Sequence, residues 1–220
     1  MKYKALIYDM DGLLIDSMLH WLKLDEVFFA KRGWKMTEDL IRIMTGKSEK
    51  ENIAILKQNF GSEEEIDDMV LARRKHIDII YQEKTMEMPG VSNLIKKAKQ
   101  KGLKQAVASG APEHTIKITV DRFGWADHFD ELFSVEHVEH KGKPEPDVFL
   151  HAAEKLGIRP EECVVLEDAE NGVVAAKRAG MACIAVPDKR WSFGDFSSAD
   201  ICVDSLESEE VYKFLSIDLD

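Results

Sequence analysis

Short apolar runs alternate along this chain with longer stretches of helical periodicity. The runs Lys4–Tyr8, Leu103–Ala108, Glu131–Ser134, Cys163–Leu166, Cys183–Val186 and Ile201–Val203 read as strands of a buried sheet. Between them, Val91–Lys101, Glu113–Phe123, Pro146–Leu156 and Asn171–Ala179 have the apolar spacing of amphipathic helices. Gly102, Gly157 and Gly180 each stand just past a helix, where a left-handed C-terminal cap favours glycine. Strand–helix alternation of this kind predicts an α/β fold, a Rossmann-like doubly wound parallel sheet.

The segment from Asp16 to Glu87 breaks the alternation. It is helical in pattern throughout and shows no convincing strand. Trp21, Leu24 and Phe28 share one helix face, and Ile66, Val70, Arg73 and Ile77 share another. Gly33 and Gly61 punctuate the segment, Glu63-Glu64-Glu65 after Ser62 suits the first turn of a helix, and Met88-Pro89-Gly90 marks the return. The expectation is a catalytic core of residues 1–15 and 88–220, with residues 16–87 inserted as a helical cap built from two hairpins.

Composition narrows the partners. The 220 residues carry 41 acidic and 30 basic side chains, a formal net charge of −11. That balance argues against nucleic acid or an anionic membrane as partner, since both call for a basic surface. A small anionic substrate stays open, because a few placed donors overcome the global field locally. Cys163, Cys183 and Cys202 form no CxxC pair and fall in apolar strand patterns. They read as buried free thiols in a reducing compartment. Asp9, Asp11 and Asp16 interrupt the apolar N-terminal stretch, so neither a signal peptide nor a membrane span is expected, and a cytoplasmic location follows as the default.

Polar groups stand at the ends of three of these strands. The first runs into Asp9-Met10-Asp11-Gly12, the second into Ser109-Gly110 and the fourth into Glu167-Asp168. A lone Asp-x-Asp is more often a turn or a helix cap. Its recurrence at strand ends points instead to the ligand crevice at the carboxyl edge of a parallel sheet. Lys143, within Lys141-Gly142-Lys143-Pro144-Glu145-Pro146, adds a cation near that edge, with Pro144 or Pro146 suited to the first turn of the next helix. His137-x-x-His140 has no third nitrogen or sulfur ligand nearby and reads as a solvated loop. Trp191, Phe193 and Phe196 read as packing under a loop, with the mouth of the site as the alternative, and Trp21 and Trp34 as interior residues of the cap, Trp21 being close enough to the first motif to face the site.

The ordered set Asp9-x-Asp11-Gly12, Ser109-Gly110, Lys143-Pro144 and Glu167-Asp168-x-x-x-Gly172 resembles the four signature motifs of the haloacid dehalogenase superfamily. The resemblance spans residues 4 to about 204 and is nearest the branch of β-phosphoglucomutase and phosphoglycolate phosphatase-like enzymes. It implies Asp9 as nucleophile forming an aspartyl-phosphate, and Asp11 as general acid and then base. It also implies a phosphate cradle of Asp11, Gly12, Ser109, Gly110 and Lys143. Dehalogenases of the superfamily lack an acid at the place of Asp11, so phosphoryl chemistry is expected. A phosphate dianion among these carboxylates needs a cation, and oxygen ligands suit Mg²⁺, assigned to Asp9, Asp11 (through its carbonyl) and Asp168, with Glu167 either a further ligand or the holder of a metal-bound water.

Within that branch the mutase carries a histidine twelve residues after the nucleophile, where this chain has Trp21, with His20 one place early. A one-residue offset turns a helical side chain by about 100°, so His20 does not inherit the role. The mutase's phosphate-gripping arginine, near the segment matching Gly46-Lys47-Ser48, aligns with Glu49, with Lys47 and Lys50 as nearby substitutes. Ala111, Pro112 and Glu113 do not match its sugar contacts. The expected activity is therefore a Mg²⁺-dependent phosphatase for a small phosphorylated metabolite, with the mutase second. A receiver-type phospho-acceptor shares the Asp, Ser and Lys but needs neither a leaving-group acid nor a lid. A monomer or weak homodimer is expected.

Overall fold

The computed structural model describes residues 2–44 and 47–218; Met1, Gly46 and Asp220, which enter the expectations above, lie outside them. Strands β1 (Ala5–Tyr8), β2 (Lys104–Ser109), β3 (Glu131–Ser134), β4 (Cys163–Glu167), β5 (Ala182–Ala185) and β6 (Ile201–Cys202) form one parallel sheet in the order β3-β2-β1-β4-β5-β6. Every expected strand is present, with ends moved by one residue. Ser109 and Glu167 are thereby the last residues of their strands. The strand order reverses between β1 and β4, the topological switch point at which α/β sheets bind ligands.

Alternation along β1 builds the two core layers. Leu6 and Tyr8 face one side, with Leu94 and Ile95 of α5 (Val91–Gln100), Ile116 of α6 (Glu113–Arg122) and Val211 and Leu215 of the C-terminal helix Glu209–Leu215. Ala5 and Ile7 face the other, with Val148 and Phe149 of α7 (Asp147–Leu156) and Val173 and Ala176 of α8 (Glu170–Arg178). Neither proline stands in the first turn of α7: Pro146 immediately precedes it, and Pro144 follows a cis peptide bond from Lys143.

Between β1 and α5 lie α1 (Met18–Ala30), α2 (Glu38–Met44), α3 (Glu49–Phe60) and α4 (Ile66–Ile79), the last running into a π-helical turn, Ile80–Lys84. Phe28, Phe29, Leu40, Ile53, Leu56 and Met69 form a separate apolar cluster, against which Trp34 packs, stacked on Phe60 at 4.7 Å. The apolar faces expected on α1 and α4 serve two clusters rather than one. Trp21, Leu24 and Ile77 pack on the sheet-side core, whereas Phe28, Ile66 and Val70 pack in the helical cluster. The glutamate run ends before α4 begins, and Glu64 pairs with Arg32 at 2.7 Å instead. The two connections run side by side: Asp16 N donates to the Met86 carbonyl (3.0 Å) and Met88 N to the Leu14 carbonyl (3.0 Å). Cys163 and Cys183 are buried; Cys202, expected in the core, is exposed on the short edge strand. No helix of the described residues is long and apolar enough to cross a membrane.

A buried polar network ties β1 to β2. Tyr8 donates its hydroxyl to Gln105 Oε1 (2.7 Å), and Gln105 Nε2 donates to the carbonyls of Ile95 (3.0 Å) and His128 (3.2 Å). Gln105→Leu strands these groups without partners and should lower unfolding free energy by about 2–4 kcal/mol, read by urea denaturation. Pairing it with Tyr8→Phe should recover part of that loss.

Candidate active site

The sheet register sets the site. Tyr8 lies level with Val107 and Leu166, so the next residues, Asp9, Ala108 and Glu167, meet at the carboxyl edge of three adjacent strands. Lys143, fully buried, reaches in from the loop before α7. Its Nζ donates to Asp9 Oδ1 and Glu167 Oε1, both at 2.5 Å, and to the Ala108 carbonyl at 3.3 Å. Glu167 Oε2 accepts from the backbone N–H groups of Asp168 and Ala169, each at 3.0 Å. Glu167 is thus held on both oxygens, with Oε1 given to the lysine. Gly172 makes this possible: a Cβ there would lie 1.9 Å from the Glu167 carboxylate.

Asp168 is 1% exposed, and Trp191 Nε1 donates to its Oδ2 at 3.4 Å. Trp191, read from the sequence as loop packing, therefore also touches the site. Gly12 adopts φ +91°, and a Cβ there would lie 2.2 Å from Asp168 Oδ2, so only glycine lets the turn after β1 approach this carboxylate. Carboxylate oxygens of Asp9, Glu167 and Asp168 all lie within 4.8 Å of one another. Three hard oxygen donors this close, two of them on acids whose charge burial disfavours, suit a small divalent cation.

Asp11 faces the helical insertion. It accepts from Ser17 Oγ (2.5 Å), from Tyr81 Oη (2.9 Å to Oδ1, 3.0 Å to Oδ2) and, more weakly, from Trp21 Nε1 (3.4 Å). The sequence reading assigns no site role to Ser17 or Tyr81. Tyr81 reaches Asp11 across a separation of seventy residues from a π-helical turn, and no motif marks it. Trp21, expected inside the cap, instead hydrogen-bonds this acid and lines the cavity. Ser109 ends β2 with its Oγ accepting from Ala111 N (3.1 Å), which orients the Ser109-Gly110 turn.

The floor opens into a cavity of about 110 Å³ that continues into the insertion. Asp9, Asp11, Ser109, Gly110, Glu167 and Asp168 line one end. Met18 lies beside the Gly12 turn at that same end; Leu22, Phe29, Met36, Ile41 and Met44 add an apolar wall, and Asp25, Glu49, Asn52 and Arg73 a polar one. Lys47 also lines it, with Nζ donating to the Lys143 carbonyl at 3.3 Å. Lys50 does not, and pairs with Asp67 at 3.4 Å instead.

Burial dominates the titration of the site. It pushes the Asp9 carboxyl up to about 8, with Lys143 opposing and the charges of Glu167 and Asp11 reinforcing. Asp168 is raised for the same reason, with Glu167 and Asp9 adding to it. Asp11 is raised by burial, against the hydrogen bonds from Ser17, Tyr81 and Trp21. Desolvation alone would depress Lys143, but the Asp9 and Glu167 carboxylates outweigh it and keep the ammonium charged.

The haloacid dehalogenase-like hydrolase family model matches residues 6–186, and the chain belongs to that family. It is 34% identical to hexitol phosphatase B of Escherichia coli K12 over 188 residues, covering 83% of each chain. It is 30% identical to the phosphorylated carbohydrates phosphatase of Thermotoga maritima, over 81% of this chain and 82% of that one. Among solved structures, CbbY of Rhodobacter sphaeroides in complex with phosphate superposes with a TM-score of 0.80 at 28% identity, over 93% of this chain and 95% of that one.

Raised carboxyl pKa values have a consequence for stability. Folded Asp168 holds a proton that the unfolded chain has released above about pH 4. The unfolded state then binds fewer protons, so this group subtracts stability as pH rises above about 4. In chelator, the melting temperature should fall between pH 5 and pH 8, and Asp168→Asn should flatten that fall.

Proposed function

We propose that this chain is a Mg²⁺-dependent phosphomonoester hydrolase acting on a phosphorylated sugar or polyol, with residues 16–87 as a cap over the site. The observation that carries the proposal is the buried Asp9–Lys143–Glu167 array with Asp11 two residues from Asp9, at the floor of a cavity. A receiver-type domain, which takes up phosphate without turnover, has no use for that cavity or for a buried acid opposite it. The phosphatases named above, similar over most of the chain, support the same reading.

Asp9 is the nucleophile in this scheme. Its carboxylate oxygen forms a bond to phosphorus while the ester P–O bond breaks. Asp11, whose burial favours the protonated form, gives its proton to the departing alkoxide. In the second half, Asp11 takes a proton from water as that water attacks phosphorus, and Asp9 is released as carboxylate. Lys143 holds Asp9 and offsets the charge of the transferring group, and the Ser109-Gly110 turn contributes its hydroxyl and backbone N–H. Asp9 and Asp168, with the Asp11 carbonyl, would hold Mg²⁺, which supplies charge neutralisation for phosphate among carboxylates. Glu167 sits beside them with one oxygen on Lys143 and the other on two backbone N–H groups, the place of a group that steadies the metal site from behind.

The phosphatase reading stands above the mutase one on two residues. At the place of the mutase histidine, Trp21 presents an N–H to Asp11. At the place of its phosphate-gripping arginine, Glu49 carries the opposite charge and pairs with Arg73 at 3.2 Å. A mutase must hold a second phosphate while its intermediate turns over, and a carboxylate at that position works against this.

Asp9→Asn should abolish phosphate release from hexose and hexitol monophosphates in MgCl₂; undiminished turnover by this variant would falsify the mechanism. Asp11→Asn should slow alkyl phosphates far more than p-nitrophenyl phosphate, because nitrophenolate leaves without a proton. Equal losses on both substrates would remove Asp11 from the acid role. Adding Mg²⁺ in melting experiments should raise the midpoint more at pH 8 than at pH 5.5, since the cation binds the ionised carboxylates.

A further inference from the structure

The far wall of the cavity holds a charged cluster with no part in phosphoryl transfer. Arg73, 3% exposed, donates through a guanidinium nitrogen to Asp25 Oδ1 and through Nε to Glu49 Oε1 at 3.2 Å. Its guanidinium lies over the rings of Phe28 (5.0 Å) and Trp21 (5.6 Å). Next to Glu49 in the lining stands Asn52, whose Oδ1 is buried without a hydrogen-bond partner among the described residues. A buried acceptor left unsatisfied is unfavourable, and a donor on a bound molecule relieves it.

The charge count decides what that molecule is. One guanidinium faces two carboxylates, so among the described lining residues this wall offers acceptors and no further cation for an anion. Lys47, the other cation of the lining, is turned to the Lys143 carbonyl. A second phosphate would meet Asp25 and Glu49 in a low-dielectric pocket and be repelled. Hydroxyl groups would find acceptors there, while Leu22 and Phe29 of the same lining offer apolar surface to the C–H face of the same molecule.

Resting on the phosphatase reading, we infer that the Asp25–Arg73–Glu49–Asn52 wall selects monophosphates of small uncharged polyols or sugars and excludes bisphosphates. Asn52 Oδ1 accepts from a hydroxyl of the leaving group; Arg73 fixes the two carboxylates as further acceptors.

The test compares hexose and hexitol monophosphates, the corresponding bisphosphates and p-nitrophenyl phosphate, a leaving group of similar size that carries no hydroxyl donor. Wild type should prefer monophosphates over bisphosphates by at least about tenfold in kcat/KM, of the order a mismatched polar site produces. Asn52→Leu should raise KM for the polyol phosphates about tenfold and leave kcat/KM for p-nitrophenyl phosphate within about twofold, consistent with loss of one hydrogen bond of about 1.4 kcal/mol. Asn52→Asp, which keeps an acceptor, should restore KM. Arg73→Met should raise the polyol phosphate KM in the same way, with the melting temperature followed alongside. Preference for bisphosphates, or equal losses on polyol and p-nitrophenyl phosphates in Asn52→Leu, overturns the inference while leaving the phosphatase reading intact. Absence of Mg²⁺-dependent hydrolysis of every ester, p-nitrophenyl phosphate included, overturns both.

Discussion

A fully buried ammonium held between two carboxylates is the constraint around which this molecule is arranged. Lys143 has no water to solvate it, and an isolated buried charge of that kind is unaffordable in a protein interior. Asp9 and Glu167 meet it at 2.5 Å, and the second oxygen of Glu167 is satisfied by two backbone N–H groups at the start of α8. This demands that β1, β4 and the loop before α7 hold a common register, which the parallel pairing of β1 with β4 enforces. It also demands glycine at 172, where any side chain would occupy the space of the Glu167 carboxylate.

The other half of the site obeys a different logic. Asp11 is satisfied by side chains at the two ends of the helical insertion, Ser17 and Trp21 at its start and Tyr81 at its end. The connections run together, pinned by hydrogen bonds between Asp16 and Met86 and between Leu14 and Met88. The acid that handles the leaving group in the proposed scheme is therefore attached to the element that covers it. In the proposed scheme the nucleophile, Asp9, directly follows a strand of the sheet. The helices between β1 and α5 carry an apolar cluster of their own beside the sheet-side core.

Much of the fold was legible from pattern. Six apolar runs gave six strands, because strands buried on both faces of a parallel sheet leave an unmistakable continuous apolar signal. Asp9, Ser109, Glu167 and Asp168 were legible because each directly follows or ends such a run. Strand ends drifted by one residue, since a terminal polar residue can still pair through its backbone, as Ser109 and Glu167 do. Cys202 was misjudged because an edge strand of two residues has the composition of a buried one without its neighbours.

The order of the candidate site groups along the chain, and the sheet that gathers them, are encoded locally in apolar periodicity and turn residues. Contacts across long separations are set by folding alone: Tyr81 on Asp11, Trp191 on Asp168, Asp25 and Glu49 on Arg73. Helical periodicity marks a face but not its partner. Arg73 sits at an apolar spacing on α4 and reads there as one more core position. Its meaning comes from two carboxylates brought to it by other helices, because a buried charge is defined by what folding places against it.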